Sequence, residues 1–211
     1  KEHQLLTPKG TPYSPGSIKS HTTGKGYLTY YEEKFGPLYF EDITPEFKIQ
    51  FIGVMNEKQF KINTISRAIS FIKFVCGQAF EEEFHTNTYY QTADFDVDEE
   101  DVDNIYLTSE ELKVLFEIET FTSPGYEIAR DLFLIGCYTA LRYSDYSRII
   151  PQYIRITENG TKVIDMVTKK TKQRVVIPFL FPELDILLSK YSYTAPKLSD
   201  QKLNEYIKLI A

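Results

Sequence analysis

The chain has 211 residues, 42% of them apolar and 26% charged, with a formal net charge of −6. That length suits one large domain or two small ones. The composition excludes a disordered chain, a collagen and a repetitive fibre. No stretch approaches the roughly 20 consecutive apolar residues of a membrane helix, the longest apolar run being Leu132–Tyr138. Residues 1–10 lack the apolar centre of a signal peptide, so a cytoplasmic protein with no membrane attachment is expected. Cys76 and Cys137 both fall in apolar helical surroundings and are expected as reduced core thiols.

The charge is uneven. Residues 1–80 carry ten Lys/Arg against seven Asp/Glu, residues 81–107 ten Asp/Glu and no Lys/Arg, and residues 108–211 fourteen against thirteen. One short segment therefore sets the sign. The total does not exclude a nucleic-acid partner, which responds to local cationic patches.

Ser14-Pro15 supplies an N-cap and an N1 proline for a helix to about Lys34, with Ile18, Leu28, Tyr31 and Phe35 inward. Gly24 and Gly26 weaken its middle. Thr44-Pro45-Glu46-Phe47 opens a second helix, with Phe47, Phe51, Ile52 and Met55 at helical spacing. A third starts near Asn63-Thr64 and carries Ile65, Ile69, Ile72 and Cys76 on its apolar stripe. These predict a helical bundle over residues 1–93. Residues 94–106 read as a linker: seven carboxylates lie between Asp94 and Asp103, and at that density they repel one another. A solvated spacer is expected; the other reading is an arm that lies in a basic groove until DNA displaces it.

From residue 107 the pattern changes. Thr108-Ser109-Glu110-Glu111 has the form of a capping box. Ser123-Pro124 opens a helix whose stripe is Ile128, Leu132, Ile135 and Tyr138, and a short helix follows from Tyr143 or Ser144 to Ile149. Three strand-like runs come next, Tyr153–Thr157, Lys162–Val167 and Arg174–Ile177, with the hairpin signal Asn159-Gly160 between the first two. Pro182–Tyr191 and Ser199–Ile210 return to helix, the last with Ser199 as N-cap. The fold class expected is mainly α with a small antiparallel sheet.

Three histidines, His3, His21 and His85, are scattered, with no metal-ligand spacing. The acidic run lacks the glycine and spacing of a calcium loop. No glycine-rich phosphate loop occurs, so neither metal nor cofactor is expected. Arg142 follows an apolar helix directly and precedes Asp145. Held at such a corner, its planar fork suits two phosphate oxygens; alternatively it pairs with Asp145 and fastens the corner. Lys169, Lys170 and Lys172 lie on the turn between the second and third strands, either as a solvated tip or reaching into a site. Near the third helix, Lys58, Lys61, Asn63, Thr64 and Arg67 form a candidate phosphate-backbone contact, or else an ordinary solvated cluster with Asn63 as N-cap. Lys19 and Lys25 have the same standing.

Taken together and in this order, LTSEEL at Leu107–Leu112, FLIGCYTALRYSD at Phe133–Asp145, KKTKQRVVIP at Lys169–Pro178 and KLSDQKLNEYIKLI at Lys197–Ile210 resemble the tyrosine recombinase (phage integrase) family, in particular integrases of conjugative transposons and related mobile elements. The resemblance implies a helical, SAM-like core-binding domain over 1–93 and the first part of an α/β catalytic domain over 107–211, closing as a clamp on double-stranded DNA. It implies that Arg142 binds the scissile phosphate, that Asp145 supports it, and that Lys170 is the general acid, with Lys169 and Lys172 as rivals. It further implies strand exchange through a 3′-phosphotyrosyl intermediate, without ATP or metal, by a homotetramer. Ala140 stands where the family commonly has glycine. The family's His-x-x-Arg and nucleophilic tyrosine follow the region matched by Ser199–Ile210, and the chain has no His beyond His85 and no Arg beyond Arg174. A truncated, cleavage-incompetent polypeptide is therefore expected. The alternative is a non-catalytic DNA-binding accessory protein.

Overall fold

The computed structural model describes residues 7, 10–103 and 105–210. The remaining positions of the expected 1–93, 94–106 and 107–211 segments, His3 among them, lie outside the described residues. The chain divides into two units, 1–103 and 104–211.

In the first unit, Ser14 caps α1 (Pro15–Phe35) by accepting the Ser17 amide at 3.1 Å. Thr44 caps α2 (Pro45–Glu57) by accepting the Phe47 amide. α3 (Ile62–Glu81) begins ahead of the Asn63-Thr64 signal, with Lys61 at the N-cap position and no side-chain cap. Phe47, Phe51 and Met55 of α2 meet Ile65, Ile69, Ile72 and Cys76 of α3 and Tyr31 of α1. Each apolar side chain buried this fully contributes ~1.5–3 kcal/mol. Tyr31 and Phe47 pack edge to face, with centroids 4.9 Å apart.

The buried face of α1 is set by Gly24 and Tyr31, and the expected inward residues Ile18 and Phe35 are 49% and 46% exposed. Gly24 is a point of close approach: a Cβ there would meet the Phe71 ring at 2.4 Å. Its missing side chain lets α1 seat on α3, which outweighs its poor helix propensity.

The expected spacer is docked over its first part. Phe95 is fully buried in this core. Asp96 pairs with Lys73 at 2.5 Å, and Lys48 donates to the Asp94 carbonyl. Asn63 donates to the Glu100 carbonyl at 3.0 Å and accepts the Glu100 amide at 2.7 Å. Two apolar contacts, Phe95 and the partly buried Val97, with two lysines and a two-way amide contact overcome the repulsion of carboxylates that stay exposed.

In the second unit, the capping box closes on α4 (Ser109–Phe116). Thr108 accepts the Glu111 amide, and the Glu111 carboxylate accepts the Thr108 amide at 2.7 Å. Ser123 caps α5 (Pro124–Thr139). α6 (Tyr143–Tyr146) is one turn, shorter than the helix expected to Ile149. Pro151–Tyr153 forms a 3-10 turn into β1 (Ile154–Ile156), which trims the expected strand. β2 (Lys162–Val167) and β3 (Arg174–Pro178) complete an antiparallel sheet of order β1-β2-β3, with Ile164 opposite both Ile154 and Ile177. Gly160 turns the first hairpin at φ 78°, a left-handed value that costs glycine little. α7 (Pro182–Lys190) and α8 (Asp200–Ile210) follow, and Ser199 accepts the Lys202 amide at 3.3 Å. Leu132, Leu134 and Ile135 of α5 pack with Ile164, Leu184 and Leu188.

A buried ionic cluster pins the helices of this unit. Arg130 donates to the carbonyls of Leu115, Phe116 and Ile118 and, at 2.5 Å, to Asp131. Asp131 also accepts from Lys190 at 2.6 Å and from Tyr191 at 2.7 Å. Cys76 is buried, whereas Cys137 is exposed, correcting its assignment as a core thiol.

Candidate active site

The Arg142 corner is built by the end of α5. Thr139, buried, donates its hydroxyl to the Ile135 carbonyl at 2.7 Å and so ties off the last turn. Ala140 then adopts φ 53°, ψ 19°, the left-handed conformation that favours glycine. This single reversal breaks the helix, leaving Leu141 partly buried against the core and Arg142 exposed. Arg142 takes the N-cap position of α6 with extended backbone, and its side chain is exposed. Gly136 lets α6 close down, since a Cβ there would lie 2.7 Å from the Tyr146 ring.

Asp145, on α6, is fully buried. Its Oδ1 accepts the Lys169 amide at 2.7 Å and an Arg148 guanidinium N–H at 3.0 Å. Burial pushes the Asp145 carboxyl up, but the Lys169 amide, the Arg148 hydrogen bond and the charges of Arg148 and Arg142 outweigh it, holding the carboxyl below its usual range. Arg142 acts on Asp145 through its charge, as one of the causes that lower the carboxyl, and makes no ion pair with it among the described residues. The direct ion pair of Asp145 is with Arg148, a residue the sequence reading did not single out. Its spacing of three residues from Asp145 on a helical turn was the available signal.

The lysine turn is pinned at both ends. Thr168 donates its amide to the Gln173 carbonyl at 2.9 Å and accepts the Gln173 amide on its hydroxyl at 3.2 Å. Lys172 takes φ 57°. Lys169, Lys170 and Lys172 are all exposed. One carboxylate thus joins the corner that presents Arg142 to the turn that presents the lysines, and both cationic groups face solvent.

The first unit treats its candidates differently. Lys61 and Arg67 are exposed and Thr64 partly so. Asn63 is neither an N-cap nor a free amide, because its side chain holds the Glu100 backbone. Lys58 lies over the Tyr30 ring at 4.9 Å, and Lys19 and Lys25 are exposed. Among the described residues no cluster of His, Cys, Asp or Glu is placed to hold a metal. Two late tyrosines have structural partners: Tyr191 donates to Asp131, and Tyr193 to Asp185 at 2.9 Å.

Residues 3–97 match the family model described as a phage integrase SAM-like domain. The first unit belongs to that family. Across both units, a lambda integrase dimer bound to a COC′ core site matches with a TM-score of 0.71 at 14% identity, over 94% of this chain and 71% of that one. A lambda integrase tetramer bound to a Holliday junction matches with a TM-score of 0.68 at 14% identity, over 94% of this chain and 58% of that one. A further lambda integrase dimer on a COC′ core site matches at 0.69, again at 14% identity, with 94% and 57% covered. The chain thus spans between 57% and 71% of the length of these integrase chains. No curated protein sequence matches it. The likeness to lambda integrase is one of fold, and with the SAM-like domain it supports the tyrosine recombinase family for the chain. The fold class is as expected: mostly helical, with one small antiparallel sheet.

Proposed function

We propose that the chain is the DNA-gripping part, together with a first portion of the catalytic machinery, of a site-specific DNA recombinase of a mobile element. The observation that carries this reading is the meeting of the Arg142 corner and the lysine turn on the Asp145 carboxylate, within a fold shared with DNA-bound lambda integrase. Arg142 binds non-bridging oxygens of the scissile phosphate, where charge concentrates in the transition state. A tyrosine hydroxyl, assigned to none of the sixteen in residues 1–211, attacks phosphorus and gives up its proton to solvent water. The bond to the 5′-oxygen breaks, and Lys170 gives that oxygen a proton. The resulting 3′-phosphotyrosyl ester conserves the energy of the phosphodiester and splits the exchange into two similar steps.

Lys61, Thr64 and Arg67 of the SAM-like unit, with Lys169 and Lys172, contact the phosphate backbone of double-stranded DNA. The complete recombinase works as a homotetramer in the cytoplasm. Among the described residues, no helix is long and apolar enough to cross a membrane.

The test is strand exchange by the full-length protein. Arg142→Ala is expected to abolish it while DNA binding persists; unchanged exchange refutes the assignment. Residues 1–211 alone are expected to bind DNA, with affinity falling steeply as salt rises, and to form no covalent adduct. An adduct overturns the second expectation. Salt-sensitive binding with no exchange by the full-length protein favours an accessory DNA-binding role instead.

A further inference from the structure

Arg148 is not one of the residues to which the proposed recombinase reading gives a role. Its guanidinium nevertheless makes three contacts that converge on the candidate site. Nε donates to the Ser144 carbonyl at 2.9 Å, within α6. Nη2 donates to Asp145 Oδ1 at 3.0 Å and to the Val167 carbonyl at 2.9 Å. Val167 is the last residue of β2, and the Lys169 amide, two residues on, donates to the same Asp145 oxygen. The lysine turn is therefore fastened to α6 at two backbone points, one through Arg148 directly and one through the carboxylate that Arg148 holds.

We infer that Arg148 is a positioning residue, which locks the turn bearing Lys170 in register with the corner bearing Arg142. This rests on the proposed recombinase reading and deepens it. The planar fork of arginine is what the arrangement requires, because one group, in the turn after α6, must serve a carbonyl of α6, a carboxylate and a carbonyl on the strand. A lysine ammonium in its place reaches the carboxylate as a point charge and lacks the fixed geometry for the rest. Arg148 is also the sole side-chain donor to Asp145 among the described residues, and Asp145 Oδ2 is buried there without a hydrogen-bond partner. Without Arg148 the buried carboxylate retains one amide donor, and the end of β2 is released. The turn is then free to shift, and small displacements of a proton donor from the leaving oxygen are costly to rate.

Two measurements test this. In the full-length recombinase, cleavage is compared on an ordinary phosphodiester and on a substrate with a bridging 5′-sulfur, whose thiolate leaves with little need of a proton. Arg148→Ala is expected to slow cleavage of the ordinary substrate by roughly 100-fold, with DNA affinity little changed, and the sulfur substrate is expected to restore most of the rate. Arg148→Lys is expected to fall between wild type and Arg148→Ala. Lys170→Ala serves as reference: if sulfur fails to rescue it, the general-acid reading fails. If sulfur rescues Lys170→Ala but not Arg148→Ala, the positioning role is wrong and the general-acid reading stands.

The second measurement needs no chemistry. In residues 1–211, hydrogen exchange at the Lys169 amide should accelerate at least ~10-fold in Arg148→Ala, as expected when a local opening becomes easier, while the Ile164 amide in mid-strand stays protected. An unchanged Lys169 amide overturns the inference. So does equal loss of protection at Ile164, which marks a general structural role.

Discussion

Ala140 sits at φ 53° immediately before the segment that presents Arg142. A non-glycine residue there carries a strain that glycine would not. Ala140→Gly is therefore expected to stabilise the second unit, the relief of strain being partly offset by added freedom in the unfolded chain, with a net gain of ~0.5 kcal/mol. Thermal unfolding measures it, and a fall in midpoint would contradict the strained conformation. Asp131 is the converse case, a buried carboxylate shared by Arg130, Lys190 and Tyr191. Asp131→Ala leaves a buried guanidinium without its charge partner and should cost about 3–5 kcal/mol. Denaturant unfolding would read that loss. The lysine turn shows how one residue can act at two levels. Thr168 closes the turn through both its backbone and its hydroxyl, so the lysines around it point outward from a fixed frame.

The acidic segment is the element whose behaviour departs most from its composition. Charge density favours a solvated strand of chain, and its carboxylates are indeed exposed. Yet Phe95 is fully buried, and the Asn63 amide holds the Glu100 backbone from both sides. Phe95→Ala should destabilise the first unit by about 3–5 kcal/mol, as for large core aromatics. Asn63→Ala should leave the core intact and speed protease cleavage near Glu100, because it frees only the far end of the segment. Equal protease resistance of the variant and the parent would show that Asn63 does not hold it. The same contact occupies the Asn63 side chain, while Lys58, Lys61 and Arg67 are the exposed cations there.

Each unit closes its own core, the first around Phe47, Phe51 and Ile69, the second around Leu132, Ile135 and Leu188. The acid response of the protein should follow its low-pKa carboxylates. Asp145 is held down despite burial by the Lys169 amide and the arginines, and Asp185 by Lys162 and Tyr193. A carboxyl lowered in the folded state contributes stability above its unfolded value, near pH 4, and that contribution is lost as pH falls below it. At the alkaline end the sign reverses in pH. Burial pushes Tyr146 up to about 12, so stability is retained below its unfolded value near 10 and declines as pH rises from there. Unfolding midpoints should therefore form a plateau at neutral pH with losses on both sides. An unfolding free energy that kept rising above pH 10 would contradict the buried state of Tyr146.

Much of this architecture was legible in local residue chemistry. Ser14-Pro15, Thr44-Pro45 and the Thr108–Glu111 box announced their helices because a cap is a contact between near neighbours. Asn159-Gly160 announced the first hairpin for the same reason, and the order of motifs around Arg142 pointed to the family. Contacts between distant residues were not legible. Nothing in composition says that Asp145 meets the Lys169 amide, 24 positions away, that Gly24 is opposite the Phe71 ring, or that an acidic stretch folds back onto α3. Those outcomes depend on which surfaces the packed cores bring within hydrogen-bond reach, a property of the folded chain in three dimensions that no window of neighbouring residues contains.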